Sequence, residues 1–173
     1  QAKGGEVGAV LCVARVGDPF ALWVWGTGAE GTGVPGIVDA DAACDAFRNN
    51  GPRRRGRSSV VVSLHASKIF GVGEGGAVLT HDPGMAEHIR VLTRFGFSGT
   101  RVSLYPSTNA KISEYTAAVG LASLDCWEAT RAQWMAVTTL YRQSLPSDLI
   151  VPPDFGANWV SATLTVIGRE DRP

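Results

Sequence analysis

The stretch Ser63-Leu64-His65-Ala66-Ser67-Lys68-Ile69-Phe70-Gly71-Val72-Gly73-Glu74-Gly75-Gly76-Ala77-Val78-Leu79-Thr80 decides the fold. Its glycines, Gly71 to Gly76, fit the spacing G-x-G-x-x-G. A dinucleotide site with that spacing needs a strand directly before the glycines and a helix opening at them, so that the helix N-terminus meets the pyrophosphate. Neither condition holds. The strand-like run Ser59–Leu64 ends well before Gly71, and the glycines lead into Ala77–Thr80, a short run that reads as another strand. No acidic residue closes a second strand at the expected distance. The glycines therefore link strand to strand, and a nucleotide-binding oxidoreductase is disfavoured.

Working outward, Ala9–Ala14 reads as a buried strand, being short and continuously apolar. Pro19 to Gly31 sits where a crossover helix belongs, although Gly26, Gly28 and Gly31 weaken its helix propensity. Gly36-Ile37-Val38 is a second strand ending at Asp39, and Ala40–Phe47 a short helix. Asp82-Pro83 is a helix start, with a capping side chain and proline at the first helical position. Met85, Ile89 and Leu92 give that helix one apolar face, and Gly96 is a C-cap. Gly99–Ser107 is loop. Helix resumes near Ala110 and runs to Leu145. Its small residues Ala117, Ala118, Gly120 and Ala122 allow another element to approach closely. Trp127, Trp134, Tyr141 and Leu145 form a core stripe. Pro146–Asn158 is loop, and Trp159–Ile167 is a last strand. Strands alternating with helices predict an α/β domain with a mostly parallel sheet. Residues 1–125 make up a partial large domain, and 126–173 a connecting helix and the start of a smaller one.

The bulk composition narrows the function. The 173 residues are 45% hydrophobic, enough for a real core. Sixteen basic and sixteen acidic residues cancel, which argues against a nucleic-acid or membrane-surface binder. The basic run Arg53-Arg54-Arg55-Gly56-Arg57 reads as a solvated loop or as a site for a phosphate-bearing substrate. Cys12, Cys44 and Cys126 have neither metal-ligand spacing nor a disulfide framework, so a reducing, cytoplasmic compartment fits. No apolar run reaches membrane-spanning length, and no leader pattern is present. The chain starts at Gln1 and enters a strand pattern by Val7, so its beginning is expected to lie elsewhere.

The chemistry centres on Lys68, in the turn that follows the third strand, where ligands of open α/β sheets gather. Around it are the hydroxyls of Ser63 and Ser67, the imidazole of His65 and the carboxylate of Asp39. A lysine, a carboxylate at a strand tip and hydroxyl donors are the parts of a pyridoxal phosphate site. The amine bonds the cofactor aldehyde. The carboxylate holds a proton on the pyridine nitrogen, and hydroxyls and backbone N–H groups bind the phosphate. The glycines after Lys68 let the chain turn sharply back to the sheet.

Ser63-Leu64-His65-Ala66-Ser67-Lys68 with Gly73-Glu74-Gly75-Gly76-Ala77-Val78 resembles the lysine segment of the DegT/DnrJ/EryC1/StrS family, pyridoxal-phosphate aminotransferases of nucleotide-linked keto-sugars. Gly33-Val34-Pro35-Gly36-Ile37-Val38-Asp39-Ala40, Phe95-Gly96-Phe97 and Thr108-Asn109-Ala110-Lys111-Ile112-Ser113-Glu114-Tyr115 resemble further family segments, in order. The resemblance implies the large domain of a fold type I (aspartate aminotransferase-like) transferase, incomplete at its N-terminal half. It implies Lys68 as the cofactor-bonding lysine and proton shuttle, Asp39 as the pyridine partner, and Ser63 as a phosphate ligand. Asn109 would reach a phosphate across a homodimer interface, unless it simply caps the following helix. Asp41, which also precedes two alanines, rivals Asp39. His65 is a cofactor-side donor or ordinary packing, and Glu74 belongs to the tight turn. The implied reaction moves an amino group from an amino acid, expected to be glutamate, to the keto-sugar. Lys68 argues against the family's dehydratase branch, which has histidine there. The competing reading is an inactive fragment or degenerate homologue that serves as a binding module.

Overall fold

The computed structural model describes residues 7–18, 33–50, 58–152 and 154–168. The expected crossover at Pro19–Gly31 and the arginine run at Arg53–Arg57 lie outside these. Four strands make one sheet in the order β1 (Val10–Val13), β2 (Gly36–Asp39), β3 (Ser59–Ser63), β4 (Gly76–Leu79). The first three are parallel and β4 pairs antiparallel to β3. That last pairing follows from the glycine turn, which returns the chain directly beside the strand it left.

Strand periodicity of two splits the sheet into unequal faces. On one face, Val38, Val60 and Val62 are buried against Ala43, against Ala46 and Phe47 of α1 (Cys44–Asn50), and against Phe155 and Trp159. On the other, Leu11 lies opposite Ile37, and Asp39, Val61 and Val78 continue the row. This side is open: Leu11 is 65% exposed and Val13 53%. The expectation of a buried first strand is therefore corrected. β1 is an edge strand covered on one side, and its continuous apolar run does not distinguish one covered face from two.

α2 (Pro83–Leu92) begins as expected, with the Asp82 carboxylate accepting from the N–H groups of Gly84 and Met85 at 2.8 and 3.1 Å. Its buried residue is Val91, whereas Met85 is exposed. The helix ends at Thr93, and Gly96, at φ +75°, returns its N–H to the Val91 carbonyl after the helix has closed. The predicted long helix is two. α3 (Glu114–Asp125) starts later than Ala110 because Ser113 caps it, its hydroxyl accepting from Thr116 N–H. Asn109 is therefore not its cap. The chain breaks at Cys126 and α4 runs Trp127–Ser144. Gly120 faces Val72, and a Cβ there would make ordinary contact with a Val72 methyl at 3.5 Å, so the close approach expected at this glycine is not one that only glycine allows.

The aromatic stripe of α4 fades along its length. Trp127 is buried with Ile69, Phe70 and Val160, Trp134 packs at the margin, and Tyr141 is 55% exposed. The helix outruns the body it packs against, which a regular spacing cannot reveal. No strand forms over Trp159–Ile167. Two isolated bridges, Phe155 with Trp159 and Ile150 with Ile167, hold that segment, and Phe155 and Trp159 meet edge to face at 4.7 Å. Among the described residues no helix is long and apolar enough to cross a membrane.

Candidate active site

Two parallel strands deliver the site residues. β2 ends at Asp39, whose carboxylate accepts the N–H of Asp41 at 3.3 Å. This local turn carries Asp41 past the strand tip, where its carboxylate accepts from Lys68 Nζ at 2.5 Å. Lys68 is about three-quarters shielded and Asp41 about half. The ammonium is thus neutralised yet within reach of solvent, so another group can displace the pair.

Lys68 stands on a loop pinned at several rungs. Leu64 N–H donates to Gly75 O at 2.9 Å, Ala66 N–H to Gly73 O at 2.7 Å, and Val72 N–H to Leu64 O at 2.9 Å. These bonds extend the β3–β4 ladder into the loop and leave the Lys68 turn as its tip. Two glycines are obligatory here for different reasons. Gly71 has no room, since a Cβ would lie 2.9 Å from the Ala66 backbone. Gly73 has φ +105°, outside the range of ordinary L-residues.

Ser63, at the end of β3, and His65 lie beside Lys68 and are joined by hydrogen bonds. Ser63 Oγ accepts the His65 N–H at 3.2 Å. His65 Nδ1 lies 2.8 Å from Ser67 Oγ and accepts the Ser67 N–H at 3.1 Å. Its Nε2 lies 3.6 Å from the Glu74 carboxylate. Asn109 is held elsewhere, in the exposed loop after α2, pairing with Arg94 and accepting from Lys111 Nζ. The same loop reaches the lysine turn through Ile112, whose methyl would lie 3.2 Å from a Cβ on Gly75. Phe95, at φ +61°, lies under the Lys111 ammonium at 4.7 Å.

A third carboxylate escaped sequence reasoning. Asp45, in the first turn of α1, is fully buried. It accepts from Arg131 Nε at 2.7 Å and from Val160 N–H at 3.0 Å. It ties α1 to α4 and to the 158–160 segment behind the site. The signal was present: an acidic residue within Ala42-Ala43-Cys44-Asp45-Ala46-Phe47 needs a buried partner. Next to it, burial pushes the Cys44 thiol above its usual range, the Asp45 charge adds to this, and Arg48 opposes it. No cluster of metal-ligating side chains occurs among the described residues.

The donor set fits pyridoxal phosphate at the two ends that define its chemistry. An amine with a neutralising carboxylate would serve the aldehyde end, and the Asp39 carboxylate at the end of β2 would be available for the ring nitrogen. A hydroxyl ends β3 for the phosphate. An open α/β sheet with a lysine–carboxylate pair beyond its parallel strand ends defines a class, the fold type I pyridoxal-phosphate transferases.

The comparisons agree. Residues 4–166 match the DegT/DnrJ/EryC1/StrS aminotransferase family model, and the chain belongs to that family. It is 39% identical over 139 residues to the dTDP-3-amino-3,4,6-trideoxy-alpha-D-glucose transaminase of Streptomyces venezuelae, covering 73% of this chain and 37% of that protein. It superposes on the crystal structure of DesI, determined with its TDP-sugar product, with a TM-score of 0.72 at 30% identity, covering 98% of this chain and 44% of that one. A Bacillus cereus protein assigned as a PLP-dependent aminotransferase aligns with a TM-score of 0.68 at 27% identity, over 78% of this chain and 37% of that one. The chain spans about a third of the length of the curated relatives it matches, 32% to 38%.

Proposed function

We propose that this chain is the lysine-bearing part of a pyridoxal-phosphate aminotransferase that moves an amino group from an amino acid, glutamate by preference, to a nucleotide-linked keto-sugar. The observation that carries the reading is the contact of Lys68 Nζ with the Asp41 carboxylate beyond the parallel strand ends. Family membership and the sugar-transaminase relatives support the substrate class.

The chain's own residues would act as follows. Lys68 supplies the amine that bonds the cofactor and, once released, accepts and returns a proton at Nζ. When bound, the cofactor draws electrons from the substrate carbon beside the nitrogen, which makes that proton labile. Asp41 neutralises the Lys68 ammonium before the cofactor arrives. Asp39 is proposed to hold the ring nitrogen, which lies across the ring from the aldehyde carbon, so that the carboxylate already touching the reacting amine stands at the other end. The strand-end position of Asp39 supports this assignment, with Asp41 as its rival. Ser63 Oγ is proposed to bind the phosphate. Asn109 is proposed to reach the phosphate of a second protomer's site, making a homodimer with shared active sites. Its exposed loop, flanked by Phe95, Phe97, Val102, Leu104 and Tyr105, suits such an interface. Residues 126–173 would lead from the large domain into a smaller one. Three free cysteines, Cys12, Cys44 and Cys126, accord with a cytoplasmic setting.

The second reading, a non-catalytic binding module, is favoured by the open face of the sheet at Leu11, Val13, Ile37, Val61 and Val78. One experiment separates the two. The chain is mixed with pyridoxal phosphate, reduced with borohydride and mapped by peptide mass. Adduct on Lys68, lost in Lys68→Ala, supports the aminotransferase reading. Label scattered over surface lysines, or none, supports the binding module.

A further inference from the structure

We infer that His65 is a positioning residue for Lys68, acting as the neutral imidazole that carries its proton on Nε2. The inference deepens the proposed function and rests on it for the role of Lys68 as the reacting amine. The geometry of the turn stands on its own contacts.

The Ser67 backbone N–H is a fixed donor, and it points at His65 Nδ1 from 3.1 Å. Nδ1 must therefore offer a lone pair, and a neutral imidazole with a bare Nδ1 holds its proton on Nε2. That proton faces the Glu74 carboxylate, 3.6 Å away, which favours an N–H there. The Ser67 hydroxyl, 2.8 Å from Nδ1, donates to the same lone pair. The backbone of His65 completes the arrangement, its carbonyl accepting the Lys68 N–H at 2.9 Å. One residue thus holds two consecutive amides, Ser67 by its side chain and Lys68 by its backbone. Ser63 Oγ in turn ties the His65 N–H to the end of β3.

This chain of contacts fixes the Lys68 backbone relative to the strand tip. The lysine stem has four rotatable carbons, so a fixed Cα is what confines Nζ to the neighbourhood of Asp41. With Nδ1 engaged inside the turn, His65 serves the lysine through its contacts to Ser67 and Lys68.

Two variants separate this from a generic packing role. Asparagine in place of His65 presents an acceptor oxygen to the N–H two residues on, the bond an Asx turn makes, and so reproduces the Nδ1 contact. Glutamine carries its oxygen one bond further out and does not. The experiment uses the chain without cofactor. Nitrogen-15 spectra read the His65 tautomer, and solvent-exchange spectra read the Ser67 amide in wild type, His65→Asn and His65→Gln. The expected result is a proton on Nε2, with Ser67 exchange alike in wild type and His65→Asn and about tenfold faster in His65→Gln, as fits the loss of one ordinary hydrogen bond. A proton on Nδ1, or equal exchange in all three chains, overturns the inference. Borohydride trapping on the same chains keeps the two claims apart. If the tautomer and the exchange pattern hold while no chain traps cofactor on Lys68, the positioning of Lys68 stands and the aminotransferase reading falls. If Lys68 is trapped while the exchange pattern fails, the reverse applies.

Discussion

Asp41 and Asp45 lie one helical turn apart in sequence, and each holds a cation, but in opposite surroundings. Asp45 is fully buried, and its partner Arg131 is largely so, with the Val160 N–H filling a second acceptor position. Asp41 is half open, and its partner Lys68 is a quarter exposed. A buried pair cannot part without stranding a charge in the interior, so it locks the elements that carry it. A half-open pair can be replaced by water or by a ligand at little cost. The first arrangement builds the platform and the second leaves a lysine ready for use. Arginine suits the locked pair, since its fork also reaches the Asn158 carbonyl and Met135 Sδ. Lysine suits the open one, because its amine can lose a proton and become a nucleophile.

The contrast can be broken or sharpened by substitution. The largest effect belongs to Asp45→Ala, which leaves the Arg131 guanidinium and the Val160 N–H without their acceptor. Urea unfolding should show a loss of about 3–5 kcal/mol. A loss under about 1 kcal/mol would erase the distinction between the pairs. Next comes Gly71→Ala, whose added methyl meets the Ala66 backbone at 2.9 Å. Overpacking of this kind costs about 1–3 kcal/mol, and the strain falls on the lysine turn. Asp41→Asn should change stability by about 1 kcal/mol or less, since its pair is partly solvated. The smallest effect is chemical. Burial and Asp45 keep the Cys44 thiol protonated at pH values where an ordinary thiol begins to ionise. Iodoacetamide at pH 8 should therefore modify exposed Cys126 first and Cys44 at least about tenfold more slowly. Raising the pH should speed Cys44, because its pKa is shifted upward. Equal rates at pH 8 would show that α1 does not shield Cys44.

Much of the fold was legible because it is local. The strands β2 and β3, the strand β4 after the glycines and the Asp82-Pro83 helix start all follow from short-range rules, and all are present. The lysine loop was legible because Gly71 and Gly73 meet steric demands that only glycine satisfies. What failed depends on distant partners. Whether β1 is covered on one face or two is not written in Val10–Val13. The fading of the α4 stripe at Tyr141 depends on where the body beneath it ends. The Trp159–Ile167 run has strand composition, yet its aromatic ring serves as a plug beside Phe155 and no neighbouring strand pairs with it.

The most direct measurement is the amount of pyridoxal phosphate trapped on Lys68 by borohydride as the cofactor concentration is varied, in wild type, Asp41→Asn and Asp39→Asn. If Asp39 holds the ring nitrogen of a cofactor bonded to Lys68, half-maximal trapping should need at least about tenfold more cofactor in Asp39→Asn, with a smaller change in Asp41→Asn, since a charged partner is worth over 1.4 kcal/mol. A loss confined to Asp41→Asn, or no selective labelling of Lys68 in any chain, would contradict it.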